Sequence, residues 1–317
     1  MVGAASLALA MNIGANNSAA EMGPAYGAGV RTRRQLLVLI GVFCTAGAIL
    51  AGQRVMHNVG SELISGKGLA ANPGAALAVI LSAASLVALA NLLRVPISTA
   101  HVVVGAVMGL GLFYGTANLP LAGEMVIWWL ATPAAALASC YLLGRLVLPR
   151  VVRLFGALRS EQAVQRVMAW ALLLSGCWMA FSAGSNSLAK AMGPAVGAGV
   201  FSPSTGALFG GLGMAFGALL FGGRLLQTVG KEITRVCPVC AILVEIVSAS
   251  IIFVASRFGM PVSLTEIVTC SVIGFSLAAN GLRGTAGNRH VRRILVLWPA
   301  APATAAAIAF ALQFALR

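Results

Sequence analysis

The sequence predicts an all-α polytopic membrane protein of two inverted-topology repeats, each with about five hydrophobic segments, broken helices and re-entrant helical hairpins. Three observations carry that prediction. Of the 317 residues, 59% are hydrophobic and 9% charged, and the mean hydropathy is +0.95, which is more apolar surface than one soluble core can hide. Apolar stretches recur near the ~20 residues that cross ~30 Å of hydrocarbon as a helix. A motif at Gly14–Val30 also returns without gaps at Gly184–Val200. The runs are continuously apolar and rich in Ala, Leu and Gly, whereas barrel strands alternate every second residue. Lipid offers backbone N–H and C=O groups no partner, so helices are the form that fits.

Hydropathy places the segments at about 1–30, 35–52, 74–93, 96–116 and 124–146, then about 163–200, 203–222, 236–256, 261–281 and 292–316. The N-terminal segment lacks a basic leader and a small-residue cleavage site, and it runs straight into the first motif, so it reads as mature structure. The duplication is sequence-wide. GANNSAAEMGPAYGAGV matches GSNSLAKAMGPAVGAGV, AGQRVMHNVGSELI (from Ala51) matches FGGRLLQTVGKEIT (from Phe221), and RVPISTAHVVVGAVMG (from Arg94) matches FGMPVSLTEIVTCSVIG (from Phe258). Residues 1–146 form the first repeat, 147–162 a basic linker and 163–317 the second repeat. An odd number of segments per half makes the second copy enter from the opposite face.

Charge agrees with that inversion. Arg31, Arg33 and Arg34 of the first copy correspond to the uncharged stretch 201–204, and basic 283–293 to a nearly neutral stretch before Glu124. By the positive-inside bias the central Arg145, Arg150, Arg153, Arg159 and Arg166 are cytoplasmic and both termini lie outside an inner (plasma) membrane. Of 21 cations, all but Arg54, Lys67, Arg257, Arg317 and the intramembrane Lys190 then fall inside. The net charge of +14 therefore reads as topology, and nucleic acid is not an expected partner. Cys237 and Cys240 form a lone CPVC pair with no second pair or nearby His, so no metal site is expected and the thiols read as buried.

Runs of Gly, Asn, Ser and Pro interrupt both copies of the first motif and weaken helical pairing there. In lipid such a break lines a cavity. Gly23, Gly27, Gly193 and Gly197 also have the small-xxx-small spacing of close helix packing, but packing needs no amides, and Asn16, Asn17, Ser18, Asn186 and Ser187 point to a site. Ser98 and Thr99 follow Pro96, while Ser263 and Thr265 follow Pro261, each between two apolar runs of similar length. Two such hairpins, re-entrant or fully spanning, carry hydroxyls and free N–H groups at helix N-termini, which suits an anion.

These motifs resemble the duplicated GANDVANAxG and PVSTTH signatures of the inorganic phosphate transporter family, including its sulfate permease branch. The resemblance implies a secondary transporter that binds an oxyanion and a coupling cation between the two copies. Carried over, the signature amides are Asn16 and Asn186, and the hairpin hydroxyls are Ser98, Thr99, Ser263 and Thr265. The family's two signature aspartates are replaced by Asn17 and Ser187, and its second asparagine by Ala20 and Lys190. The signature histidine stays as His101 but becomes Glu266 in the second hairpin. The chain contains no Asp at all, and with Asn17 and Ser187 at the signature positions the negative charge that favours sodium is gone there while neutral oxygens remain.

The expected substrate set is therefore Asn16, Asn17, Ser98, Thr99, Asn186, Ser187, Lys190, Ser263 and Thr265, with Glu21, His101 and Glu266 as coupling groups. Glu21 and Lys190 occupy equivalent segments one register apart, and either serve the site or pair with each other across the copies. Arg94 and Arg257 flank the hairpin tips and either meet the anion or stand at the membrane surface as ordinary loop charges, and Glu62 and Glu232 are expected to bridge to Arg54 and Arg224. Partners are sulfate or phosphate, a coupling proton more than sodium, membrane lipid and, left open, a second copy of the chain. No cofactor is expected. A passive anion or small-solute channel is the alternative; an enzyme is not expected, because no nucleophile and base set, metal cluster or phosphate loop is present.

Overall fold

A computed structural model describes residues 1–64, 69, 73–92, 97–156, 160–222, 237–286 and 289–315. The order is α1 (Val2–Gly27), α2 (Arg33–Ala51), α3 (Gln53–His57) with a π turn Asn58–Glu62, α4 (Pro73–Leu92), α5 (Thr99–Tyr114), α6 (Leu119–Leu146) and α7 (Leu148–Gly156). The second half has α8 (Glu161–Ala183) with a π turn Gly184–Leu188, α9 (Ala189–Gly197), α10 (Pro203–Gly217) with a π turn Ala218–Gly222, α11 (Pro238–Arg257), α12 (Leu264–Ala286) and α13 (Arg289–Ala315). Six of these stretches are long and apolar enough to cross a membrane, and three shorter apolar helices join them. The chain is an integral membrane protein.

Local sequence explains the boundaries. Thr32 caps α2 through Gln35 in a reciprocal capping box, and Ser202 caps α10 with Pro203 at its first position, satisfying N–H groups that a helix start leaves open. Gly29 and Gly199 turn the chain at φ +68° and +72°, a left-handed conformation that glycine alone adopts cheaply. They are equivalent positions of the repeat. The bounds of α4 and α11, and the starts of α5 and α12, also correspond at a common offset.

The halves interlock. The hairpin helix α5 packs on α13, the last helix of the other half, and α12 packs on α6; likewise α1 packs on α10 and α2 on α8. Glycines permit the close approaches. A Cβ on Gly197 would collide with the carbonyl of Gly60, and one on Gly60 with the carbonyl of Gly193, so the small-xxx-small spacing of Gly193 and Gly197 is used for packing. Gly197→Val is accordingly expected to destabilise the fold by about 2–3 kcal/mol by overpacking, read as a lower Tm in detergent.

The expected interruptions differ between copies. In the second, the π turn 184–188 widens the helix at GSNSL, whereas α1 runs as α-helix through GANNS. Asparagine in mid-helix costs only a fraction of a kcal/mol, about 0.7 at most, and Gly14 lets α1 rest directly on Met214, so tertiary packing overrides the weak local preference.

Candidate functional site

The π turn turns Asn186 toward the second hairpin, where its amide is fully used. Nδ2 donates to Ser256 Oγ at 3.0 Å and to the Met260 carbonyl at 2.9 Å, while Oδ1 accepts from the Val262 N–H at 3.0 Å. Ser185 reinforces the clamp by its 3.0 Å bond to Ser256 Oγ. These bonds hold the non-helical link 258–263 between α11 and α12. One turn on, Lys190 is fully buried at 0% exposure and donates to the Val262 carbonyl at 2.8 Å. An ammonium has three donors, so two remain for an acceptor beside the hairpin tip.

The two hairpin tips meet here. Ser98 Oγ accepts from the His101 N–H and Ser263 Oγ from the Glu266 N–H, both at 3.3 Å, capping α5 and α12. From the first turns of these helices, His101 Nδ1 and Glu266 Oε1 approach to 3.4 Å, with side chains 6% and 1% exposed. They are equivalent residues of the repeat in contact with each other. Ser263-Leu264-Thr265-Glu266 has capping-box spacing, yet the Glu266 carboxylate faces across to the other hairpin, near the Ser98 and Ser263 hydroxyls and the Lys190 ammonium. Thr265 shares a 3.1 Å bond with Ser263.

Two helix N-termini, two capping hydroxyls and an ammonium thus converge on one carboxylate. This is a donor set for an anion, and in this conformation Glu266 occupies it. Thr99, Asn17 and Ser187 are also buried. Asn17 Nδ2 and Ser187 Oγ, at equivalent positions, have no hydrogen-bond partner among the described residues, an arrangement that favours a further ligand because unsatisfied buried polar atoms cost about 1–3 kcal/mol each. Asn16 is half-buried in α1 and is not without a partner.

Other expectations separate from the tip. Glu21 and Lys190 do not pair: the Glu21 carboxylate lies 3.7 Å from the Cys44 thiol on α2, and its backbone abuts Gly176 of α8. One register along a helix turns a side chain by about 100°, which sends the two charges to different neighbours. Glu62 lies 3.6 Å from His57, and Arg54 instead donates to the Arg257 carbonyl at 2.7 Å, so the expected Arg54–Glu62 bridge does not form. Arg257 is exposed, as is Cys237, so that thiol is not buried. Arg94, Arg224 and Glu232 lie outside the described residues.

Two contributors, Trp129 and Ser256, carried no local signal. Trp129 of α6 donates from Nε1 to the Pro261 carbonyl at 2.7 Å and packs its ring 4.1 Å from that of His101. Ser256 anchors Asn186 from α11, and Glu245 sits buried on the same helix; a repeat motif points to neither.

The profile of the phosphate transporter family matches residues 13–309. The sulfate permease CysP of Bacillus subtilis is 36% identical, over 97% of this chain and 85% of that protein. A putative phosphate permease of Chlamydia pneumoniae is 27% identical over 96% and 95% of the two chains. Among solved structures, a sodium-dependent phosphate transporter superposes with a TM-score of 0.87 over 99% and 98% of the chains at 21% identity, which establishes the shared fold. A transport family and permease relatives leave no place for an enzyme: the chain belongs to the phosphate transporter family.

Proposed function

We propose that the chain is a secondary transporter for a tetrahedral oxyanion, sulfate in preference to phosphate, driven by protons and working by alternating access between inverted halves. The observation that carries this reading is the convergence of the capped N-termini of α5 and α12 on the His101–Glu266 contact beside Lys190. The 36% identical relative named as a sulfate permease supports sulfate. Replacement of the signature aspartates by Asn17 and Ser187 supports protons over sodium, because a sodium site gains from negative ligands. Residues 1–146 and 163–317 act as the moving halves, with 147–162 on the cytoplasmic side and both termini outside.

Glu266 supplies the coupling. While ionised it fills the donor set that the oxyanion needs, and two negative charges cannot share that low-dielectric space. Anion entry therefore requires Glu266 to take up a proton, with His101 alongside to deliver it, so proton and anion load together. Ser98, Thr99, Ser263, Thr265, Asn17, Ser187 and Lys190 then face the anion, Asn16 and Asn186 hold the frame, and Glu21 is a second buried acid on α1.

The test is concentrative uptake of labelled sulfate in vesicles. Uptake should require an inward proton gradient and vanish with an uncoupler; downhill equilibration alone would identify a passive channel. Wild-type uptake should fall as pH rises. In Glu266→Gln the pH dependence should flatten and gradient-driven uptake should drop about ten-fold or more, the size of a typical coupling free energy, with sulfate–sulfate exchange retained.

A further inference from the structure

Glu245 lies seven residues into α11, about 10 Å from its start at 1.5 Å per residue, and its side chain is buried at 1% exposure. Ser175 of α8 donates to Oε2, and Oε1 has no hydrogen-bond partner among the described residues. Cys177 on α8, Cys270 and Glu266 on α12, Cys140 on α6, Glu21 on α1 and Cys44 on α2 are the buried titratable groups of the helices packed against α11. None is a cation. The described arginines of α2, α3, α6, α7 and α8 sit at or near exposed helix ends, and His57 is 63% exposed. An ionised carboxylate with one hydroxyl donor and no counter-charge is costly at this depth; a neutral acid is not. One turn along α11, Ser248 Oγ lies 2.9 Å from Ser271 Oγ, joining α11 to the helix that carries Glu266.

We propose that Glu245 is a second proton-binding site of the carrier, outside the anion site, protonated in this conformation and deprotonated when α8 and α11 open it to water. The inference rests on the proton-coupled reading above. The proton binds the carboxylate from one aqueous face and leaves from the same oxygen toward the other, with no other bond made or broken. Burial beside Ser175, with no cation among the described residues around it, is what an acid that carries its proton in neutral form at this depth needs.

The purified protein in liposomes separates the outcomes. Glu245→Gln keeps the shape and the Ser175 contact but cannot release a proton, so sulfate uptake driven by an imposed pH gradient should fall about ten-fold or more while sulfate–sulfate counterflow at equal pH stays within about two-fold. Infrared difference spectra between acid and alkaline pH should lose one carboxylic-acid C=O band in this variant. Retained gradient-driven uptake, or equal loss of both activities, overturns the proposal. Should Glu245→Gln not fold, Ser175→Ala keeps the acid and removes its one donor; its pH profile for uptake must then shift from wild type, and an unchanged profile overturns the proposal. If wild type itself shows no gradient-driven uptake, proton coupling as a whole fails; if wild type is driven and Glu245→Gln is driven equally, only the role of Glu245 fails.

Discussion

Lys190→Ala is expected to weaken sulfate binding by about 10- to 100-fold, since a charge-assisted hydrogen bond is worth about 1.5–3 kcal/mol and each 1.4 kcal/mol is ten-fold. Lys190 is buried, held by the Val262 carbonyl, and is the cation beside Glu266. Its removal leaves that carboxylate without its nearest positive charge, so the variant should also lose thermal stability. Lys190→Arg keeps the charge and should be milder, with some cost from the larger group in a packed site. Labelled-sulfate binding to purified protein, with a melting curve beside it, is the measurement. Wild-type affinity in the alanine variant would remove Lys190 from the site.

Competition between the two oxyanions is expected to favour sulfate, and Asn17→Asp to reverse the order. Phosphate near neutral pH keeps a P–OH group, which needs a strong acceptor; sulfate offers acceptors only. The tip supplies donors: Lys190, the Ser98 and Ser263 hydroxyls and the N-termini of α5 and α12. Asn17 adds a buried Nδ2–H with no partner among the described residues. Asn17→Asp replaces that donor with an acceptor of the same shape and adds repulsion against a dianion, so the sulfate-to-phosphate inhibition ratio should fall by about ten-fold or more, as a lost polar match in a closed site costs at least that. Stronger inhibition of wild-type uptake by phosphate than by sulfate refutes the preference.

Much of the architecture was legible along the chain. Helical span lengths follow from apolar runs, and observed helices such as Arg33–Ala51, Pro73–Leu92 and Pro238–Arg257 lie within a few residues of the segments that hydropathy marks. Caps at Thr32, Ser98, Ser202 and Ser263 follow from Ser or Thr before an apolar run. The repeat identified His101 and Glu266 as equivalent positions. These are local or self-similar signals, set by residues that are neighbours in the chain or copies of one another.

What the tertiary structure decided is which of those groups touch. Equivalence at a common offset does not say that His101 and Glu266 meet at 3.4 Å; that depends on the interlocked packing of α5 on α13 and α12 on α6. The register of Glu21 against Lys190 left a pair open, and the packing of α1 on α2 and α8 closed it by turning Glu21 to Cys44. Asn186 carries the same amide as Asn16 in sequence, but a π turn, chosen by packing over a propensity difference of a fraction of a kcal/mol, makes it the clamp on Met260 and Val262. Trp129, Ser256 and Glu245 became visible only in space, because single residues in apolar helices have no pattern and acquire a role from the helix they face.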